Sequence, residues 1–122
     1  MAHILVIDDD APIRAMLSQM LTRDAHTVTL ACDGVEGLRK AVEARPDLIL
    51  IDILMPNKDG VETIMALSAS GLTTPIVAMS GGRRSISVEF NLRSAEMAGV
   101  KATLAKPFTM AELRRAIEQA RP

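Results

Sequence analysis

Five short apolar runs, separated by amphipathic stretches, constrain the fold of this chain more than any other feature. They cover residues 4–7, 28–31, 48–51, 76–79 and, more weakly, 102–104. Strands that are apolar on both faces belong to parallel sheets, because the crossover helices cover such sheets on both sides. The runs therefore predict a five-stranded parallel sheet.

The stretches between the runs place apolar residues at helical spacing. The candidate positions are Ile13, Leu17, Met20 and Leu21; Val35, Leu38 and Val42; Val61, Ile64 and Met65; and Met110, Leu113 and Ile117. A strand followed by a helix, repeated along the chain with right-handed crossovers, gives a doubly wound α/β sheet, (βα)5, with helices on both faces.

Several local signals mark where these helices begin. Three pairs stand at the offset of a capping box, namely Asp33 with Glu36, Asp59 with Glu62, and Thr109 with Glu112. Pro12 suits a first helical turn. The fourth helix is the least regular, because residues 85–92 alternate polar and apolar with period two. We expect a loop that includes residues 81–84, then a helix from about Val88 or Asn91 to Met97, capped by Gly99.

Composition restricts the class of protein. The 122 residues fit one domain, so we expect a single domain over residues 1–122 without an output domain. A net charge of -1 and an aromatic content of 2% argue against nucleic-acid binding by this domain. The single cysteine, Cys32, excludes a disulfide framework and favours a reducing compartment. No apolar segment has the length of a membrane span, so we expect a cytoplasmic protein without membrane attachment.

Polar side chains follow the predicted strands at their carboxyl ends. Asp8, Asp9 and Asp10 follow the first strand, Asp52 the third, Ser80 the fourth and Lys106 the fifth. The carboxyl edge is where doubly wound sheets bind ligands. Converging carboxylates repel each other unless a cation lies among them, and their oxygens suit Mg²⁺, with Mn²⁺ as a possible substitute. With a hydroxyl and an ammonium added, the site would complement a phosphoryl group.

Four segments at these strand ends carry a family resemblance. They are Ile7-Asp8-Asp9-Asp10, Asp52-Ile53-Leu54-Met55-Pro56-Asn57-Lys58-Asp59-Gly60, Ala78-Met79-Ser80-Gly81 and Leu104-Ala105-Lys106-Pro107-Phe108. With these segments in this order, the chain resembles the receiver domain of bacterial response regulators. It resembles in particular the stand-alone chemotaxis regulators of two-component signal transduction. The resemblance covers essentially the whole chain and implies a flavodoxin-like fold.

The resemblance implies a phosphoacceptor and a metal site. Asp52 matches the residue that accepts the phosphoryl group. Asp9 and Asp52 match direct metal ligands, Asp8 matches an acidic residue that acts mostly through water, and the backbone carbonyl of Leu54 would be a further ligand. Members of this family are regulators rather than enzymes, and each catalyses only its own phosphorylation by transfer and its own slow dephosphorylation.

Further roles follow from the same resemblance. Ser80 matches the switch hydroxyl and Lys106 matches the lysine that holds the phosphoryl group, with a cis Lys106–Pro107 bond. The second switch position, usually aromatic, is Thr103 here, so the signal would have to travel through the Ser80 loop and backbone shifts. Side chains at Leu54 and Gly82 cannot orient a hydrolytic water, which predicts slow self-dephosphorylation.

The resemblance also implies partners. The phosphoryl donor would be a sensor histidine kinase or a histidine phosphotransfer protein. Phosphorylation would alter the face made by the fourth helix, the fifth strand and the fifth helix, where an unidentified downstream protein binds. The sequence leaves open a relay intermediate or a final output regulator, a fragment of a longer regulator, and a receiver-like interaction module that is never phosphorylated. A flavodoxin-like nucleotide binder is disfavoured, because no glycine-rich phosphate loop follows the first strand.

Overall fold

The five apolar runs form one parallel sheet. In a computed structural model that describes residues 1–53, 60–81 and 100–121, the strands are β1 (His3–Ile7), β2 (Thr27–Ala31), β3 (Leu48–Asp52), β4 (Ile76–Gly81) and β5 (Val100–Lys106). Their order is β2-β1-β3-β4-β5, and every neighbouring pair is parallel. This confirms the predicted doubly wound, flavodoxin-like sheet. The fifth strand extends beyond the predicted run at both ends.

Four helices are described. They are α1 (Ala11–Arg23), α2 (Gly34–Ala44), α3 (Gly60–Ala69) and the C-terminal helix α4 (Met110–Ala120). Within the described part of the chain, no helix combines the length and apolar character that crossing a membrane requires. The helix predicted to end at Met97 lies outside the described residues, as does most of the loop predicted before it; Gly81 is the last residue of β4.

The helices cover both faces of the sheet, because alternate residues of each strand point to opposite sides. On one face, Ile4 and Val6 of β1 join a core cluster with Leu17 of α1 and Leu113 of α4. On the other face, the alternate residues of the same strands join a second core cluster with residues of α2 and α3. Both faces of β3 are therefore buried, which explains its unbroken apolar sequence.

The buried face of α2 differs from the one that its apolar residues indicated. Val35 and Val42 are exposed, at 66% and 49%, whereas Gly34, Gly37 and Ala41 are buried. The small residues let the helix approach the sheet closely, since a Cβ on Gly37 would lie 2.5 Å from the Ile7 Cδ1 atom. The spacing located the helix correctly, but size complementarity determines which face packs.

The predicted helix starts are confirmed where the structure describes them. Thr109 and Glu112 form a complete capping box at α4. Asp33 accepts from the Glu36 backbone N–H at 2.8 Å, but the Glu36 carboxylate accepts from Cys32 N–H, one residue before the expected donor. The predicted cap at Asp59 lies outside the described residues.

Candidate functional site

Three of the predicted site residues meet at the carboxyl edge of the sheet. Asp8 follows β1, Asp52 ends β3 and Lys106 ends β5. The Lys106 Nζ atom lies 2.6 Å from the Asp8 Oδ2 atom and 3.3 Å from the Asp52 Oδ2 atom. Asp8 is fully buried and Asp52 is 6% exposed. The fold thus brings together an ammonium and two carboxylates that are far apart in the sequence.

The backbone around Asp8 is held by hydrogen bonds on three sides. The Asp8 N–H donates to the Ala31 carbonyl at 3.1 Å, which continues the β1–β2 pairing past the end of the strand. The Asp10 N–H donates to Asp8 Oδ1 at 2.9 Å, and the Arg14 Nη1 atom donates to the Asp8 carbonyl oxygen at 2.7 Å. With Lys106 bound to Oδ2, both carboxylate oxygens of Asp8 have partners.

The acidic residues form a cluster that could hold a metal ion. One carboxylate oxygen from each of Asp8, Asp9 and Asp52 lies within 4.8 Å of the others. Carboxylate oxygens are ligands that suit Mg²⁺, so Asp8, Asp9 and Asp52 could hold one ion between them. Asp9 is exposed and gives the cluster an opening to solvent. The Leu54 carbonyl, predicted as a further ligand, lies outside the described residues.

Lys106 is a cation at neutral pH despite its position. Burial lowers the pKa of its ammonium, but the hydrogen bond from Lys106 to Asp8 and the charges of Asp52 and Asp8 outweigh burial, and its pKa lies above the ordinary value. Without this cation, the buried Asp8 carboxylate would lose the partner of one oxygen. The ammonium therefore partly balances the negative charge of the cluster.

Ser80 and Thr103, the two predicted switch positions, occupy neighbouring strands. Ser80 of β4 is fully buried, and its hydroxyl oxygen has no hydrogen-bond partner among the described residues. It pairs in register with Ala105, directly before Lys106. Thr103 is half-buried in β5 and pairs with Ala78. The Ser80 hydroxyl therefore lies at the edge of the sheet where folds of this class bind ligands.

Two residues that support the site were not singled out from the sequence in this role. Arg14 bonds the Asp8 carbonyl, and Gly60 packs against the backbone of Asp52 and Ile53. Gly60 is the first residue of α3. The sequence signal that could have identified Arg14 was its position in the first turns of the helix that follows the acidic residues. Asp10 stands at the N-cap of α1 but makes no side-chain capping bond.

The sequence matches the family described as response regulator receiver domain over residues 4–118. The match spans nearly the whole chain, and the chain belongs to this family. Receiver domains of response regulators are signalling switches of two-component systems, where they partner with histidine kinases. The arrangement of Asp8, Asp52, Ser80 and Lys106 fits such a phosphoacceptor switch.

Curated relatives agree with the family. The chain is 43% identical over 111 residues to the transcriptional regulatory protein PrrA of Mycobacterium tuberculosis, covering 91% of this chain and 46% of that protein. It is 39% identical over 112 residues to the response regulator MprA of Mycobacterium avium, covering 91% and 47% respectively. The chain thus spans about half the length of these relatives.

Solved structures agree with the fold. The chemotaxis protein CheY4 of Vibrio cholerae is similar with a TM-score of 0.87 and 31% identity, covering 98% of both chains. The receiver domain of the Francisella response regulator 1452 is similar with a TM-score of 0.82 and 28% identity, covering 98% of this chain and 97% of that one. Both comparisons confirm the predicted receiver fold.

Proposed function

We propose that Asp52 accepts a phosphoryl group from a phosphohistidine, with Mg²⁺ held by Asp9, Asp52 and, through water, Asp8. The observation that carries this proposal is the cluster itself, in which Asp52 shares Lys106 with Asp8 at 3.3 and 2.6 Å. The donor would be a sensor histidine kinase or a histidine phosphotransfer protein. Such donors are intracellular, and we place the switch in the cytoplasm.

The transfer exchanges one bond to phosphorus for another. A carboxylate oxygen of Asp52 forms the new bond as the bond between phosphorus and the donor imidazole nitrogen breaks, and the imidazole keeps that electron pair and takes up a proton. Lys106 is placed to neutralise charge on a phosphoryl oxygen. When bound, Mg²⁺ would supply further charge neutralisation at the other oxygens. The domain would catalyse this transfer and its own slow dephosphorylation and no other reaction.

Ser80 would convert the new phosphoryl group into a conformational signal. Its buried hydroxyl lacks a partner among the described residues, and a phosphoryl oxygen on Asp52 would provide an acceptor. Movement of Ser80 would shift the backbone after β4, and with it the face made by the following segment, β5 and α4. Thr103 has no aromatic ring to reorient, so backbone displacement would carry the signal to a downstream protein.

Phosphorylation by a small donor tests this proposal. We expect incubation with acetyl phosphate and Mg²⁺ to add one phosphoryl group to the wild type and none to Asp52→Asn, measured by intact mass. Asp10→Asn is the matched control, because it makes the same change at an exposed neighbouring carboxylate outside the cluster, and it should be phosphorylated like the wild type.

The opposite outcome would favour a different role. If the wild type gains no phosphoryl group and binds no Mg²⁺ in calorimetry, the domain is an interaction module that keeps the fold without the chemistry. If Asp52→Asn is phosphorylated as fully as the wild type, the acceptor is another residue.

A further inference from the structure

Arg14 connects helix α1 to Asp8, the first of the three consecutive acidic residues that follow β1. Its Nη1 atom donates to the Asp8 carbonyl oxygen at 2.7 Å, and its side chain is half-buried. A guanidinium bound to a carbonyl forms a charge-assisted hydrogen bond, which is stronger than one between neutral groups. Arg14 is thus bonded to the backbone between Asp8 and Asp9, and not to a carboxylate of the cluster.

The short connection between β1 and α1 also contains the hydrogen bond from the Asp10 N–H to the Asp8 Oδ1 atom, at 2.9 Å. Asp10 occupies the N-cap position of α1, yet its side chain makes no capping bond. Pro12 in the first turn has no backbone N–H to donate. The Arg14 backbone N–H donates to the Asp10 carbonyl at 3.0 Å, which is the first hydrogen bond of the helix. Arg14 therefore bonds this connection twice, once from its backbone and once from its side chain.

Asp8 and Asp9 must keep a defined separation for one ion to bind Asp9 directly and Asp8 through water. They are adjacent in sequence, and the peptide unit between them contains the carbonyl that Arg14 binds. Rotation of this peptide unit would move the exposed Asp9 relative to the buried Asp8. A hydrogen bond that fixes the unit would keep the oxygens of both residues close to that of Asp52.

We propose that Arg14 is a positioning residue for the divalent metal site, fixing the peptide unit between Asp8 and Asp9 so that the cluster is formed before the ion arrives. This inference rests on the proposed function. It predicts that removing the guanidinium weakens Mg²⁺ binding. Simple electrostatics predicts the opposite, because the loss of a nearby positive charge should strengthen the binding of a cation. The two accounts therefore predict opposite changes in Mg²⁺ affinity when the guanidinium is removed.

Calorimetric titration of the metal-free protein with Mg²⁺ separates them. We expect Arg14→Met to raise the Mg²⁺ dissociation constant about tenfold, as loss of an outer-shell partner of a metal site commonly does. Arg14→Lys, which keeps the charge on a shorter side chain, should give a smaller increase. The matched control is Arg39→Met, the same substitution on the exposed face of α2, where the arginine pairs with Glu36 and Glu43; its dissociation constant should stay within twofold of the wild type.

The metal dependence of phosphorylation by acetyl phosphate gives a second readout. Arg14→Met should need about tenfold more Mg²⁺ for half-maximal rate while approaching the wild-type rate at saturating Mg²⁺. Unchanged or tighter Mg²⁺ binding in both Arg14 variants, with thermal unfolding showing that they are folded, would overturn the positioning role. A wild type that neither binds Mg²⁺ nor accepts phosphate would instead overturn the proposed function.

Discussion

At the scale of single residues, Lys106 is the group on which the acidic cluster depends. Its side chain is 17% exposed and contacts Asp8, whose side chain is fully buried. Removing one partner of a buried ion pair leaves the other charge without compensation, which is strongly destabilising. The same residue that the family resemblance assigns to phosphoryl binding therefore also stabilises the domain before phosphorylation.

This dependence predicts a stability loss that a metal ion can reverse. We expect Lys106→Met to lower the free energy of unfolding by about 3 kcal/mol in chelator at neutral pH, because the Asp8 carboxylate stays buried without its cation. Added Mg²⁺ should then raise the melting temperature more in the variant than in the wild type, since the ion takes over the compensating charge. Thermal unfolding with and without Mg²⁺ measures both effects.

Lys101 provides the control for this substitution. It lies on the same strand, β5, and is exposed. Lys101→Met should change the free energy of unfolding by at most about 0.5 kcal/mol and leave the Mg²⁺ response as in the wild type. Equal losses in the two variants would contradict a specific role of Lys106 in balancing the cluster.

At the scale of elements, two glycines set how closely helices approach the sheet, with different neighbours. A Cβ on Gly60, at the start of α3, would overlap the Asp52 carbonyl oxygen and the Ile53 Cα atom, which belong to the backbone. A Cβ on Gly37, within α2, would meet the side chain of Ile7. The backbone atoms of Asp52 and Ile53 cannot yield without moving the acidic cluster, whereas the Ile7 side chain can rotate.

The contrast predicts unequal effects of the same substitution. We expect Gly60→Ala to lower the free energy of unfolding by about 3 kcal/mol, at the upper end for overpacking. Gly37→Ala should cost about 1 kcal/mol, because the helix propensity of alanine offsets part of the strain. Urea denaturation followed by circular dichroism measures both. Similar losses, or a greater loss for Gly37→Ala, would show that contact with the Asp52 backbone does not limit the position of α3.

Across the whole molecule, contacts at the edge of the sheet opposite the acidic cluster connect the first residues, the end of α1 and α4. The Ala2 backbone N–H donates to the His26 Nδ1 atom at 3.1 Å. Asp24, after α1, accepts two hydrogen bonds from Arg114 of α4, at 2.8 and 2.9 Å. The bond to His26 requires an unprotonated Nδ1 atom, so this region is sensitive to pH.

The pH dependence has a definite sign. Burial, followed by the charge of the N-terminal ammonium, lowers the pKa of His26 from its ordinary value of 6.5. The unfolded chain therefore binds a proton more readily, and the free energy of unfolding falls as the pH drops from 6.5 through the lower pKa of the folded chain. We expect the melting temperature of the wild type to decrease more between pH 7.5 and pH 5, on the order of a few degrees, than that of His26→Asn.

The asparagine variant keeps a hydrogen-bond acceptor close to the Nδ1 position but does not titrate. Parallel melting profiles for the two proteins across this pH range would show that His26 does not link protonation to stability.

The apolar runs and the polar residues that follow them were enough to predict the sheet, its parallel pairing and the edge where the polar residues meet. Strands such as β3 are apolar on both faces, a pattern typical of parallel sheets that helices cover on both sides. Because all carboxyl ends of a parallel sheet share one edge, Asp8, Asp52 and Lys106 could be placed together before any distance was known.

The atoms that are in contact could not be predicted from the sequence, because they belong to segments that meet only in the folded chain. Lys106 binds Asp8 more closely than Asp52, across 98 and 54 residues of sequence respectively, and no local pattern encodes that preference. The buried face of α2 is set by Gly37 against Ile7, while Val35 and Val42 face solvent. These outcomes depend on side-chain size and reach between segments distant in the chain, which periodicity and spacing along one segment cannot express.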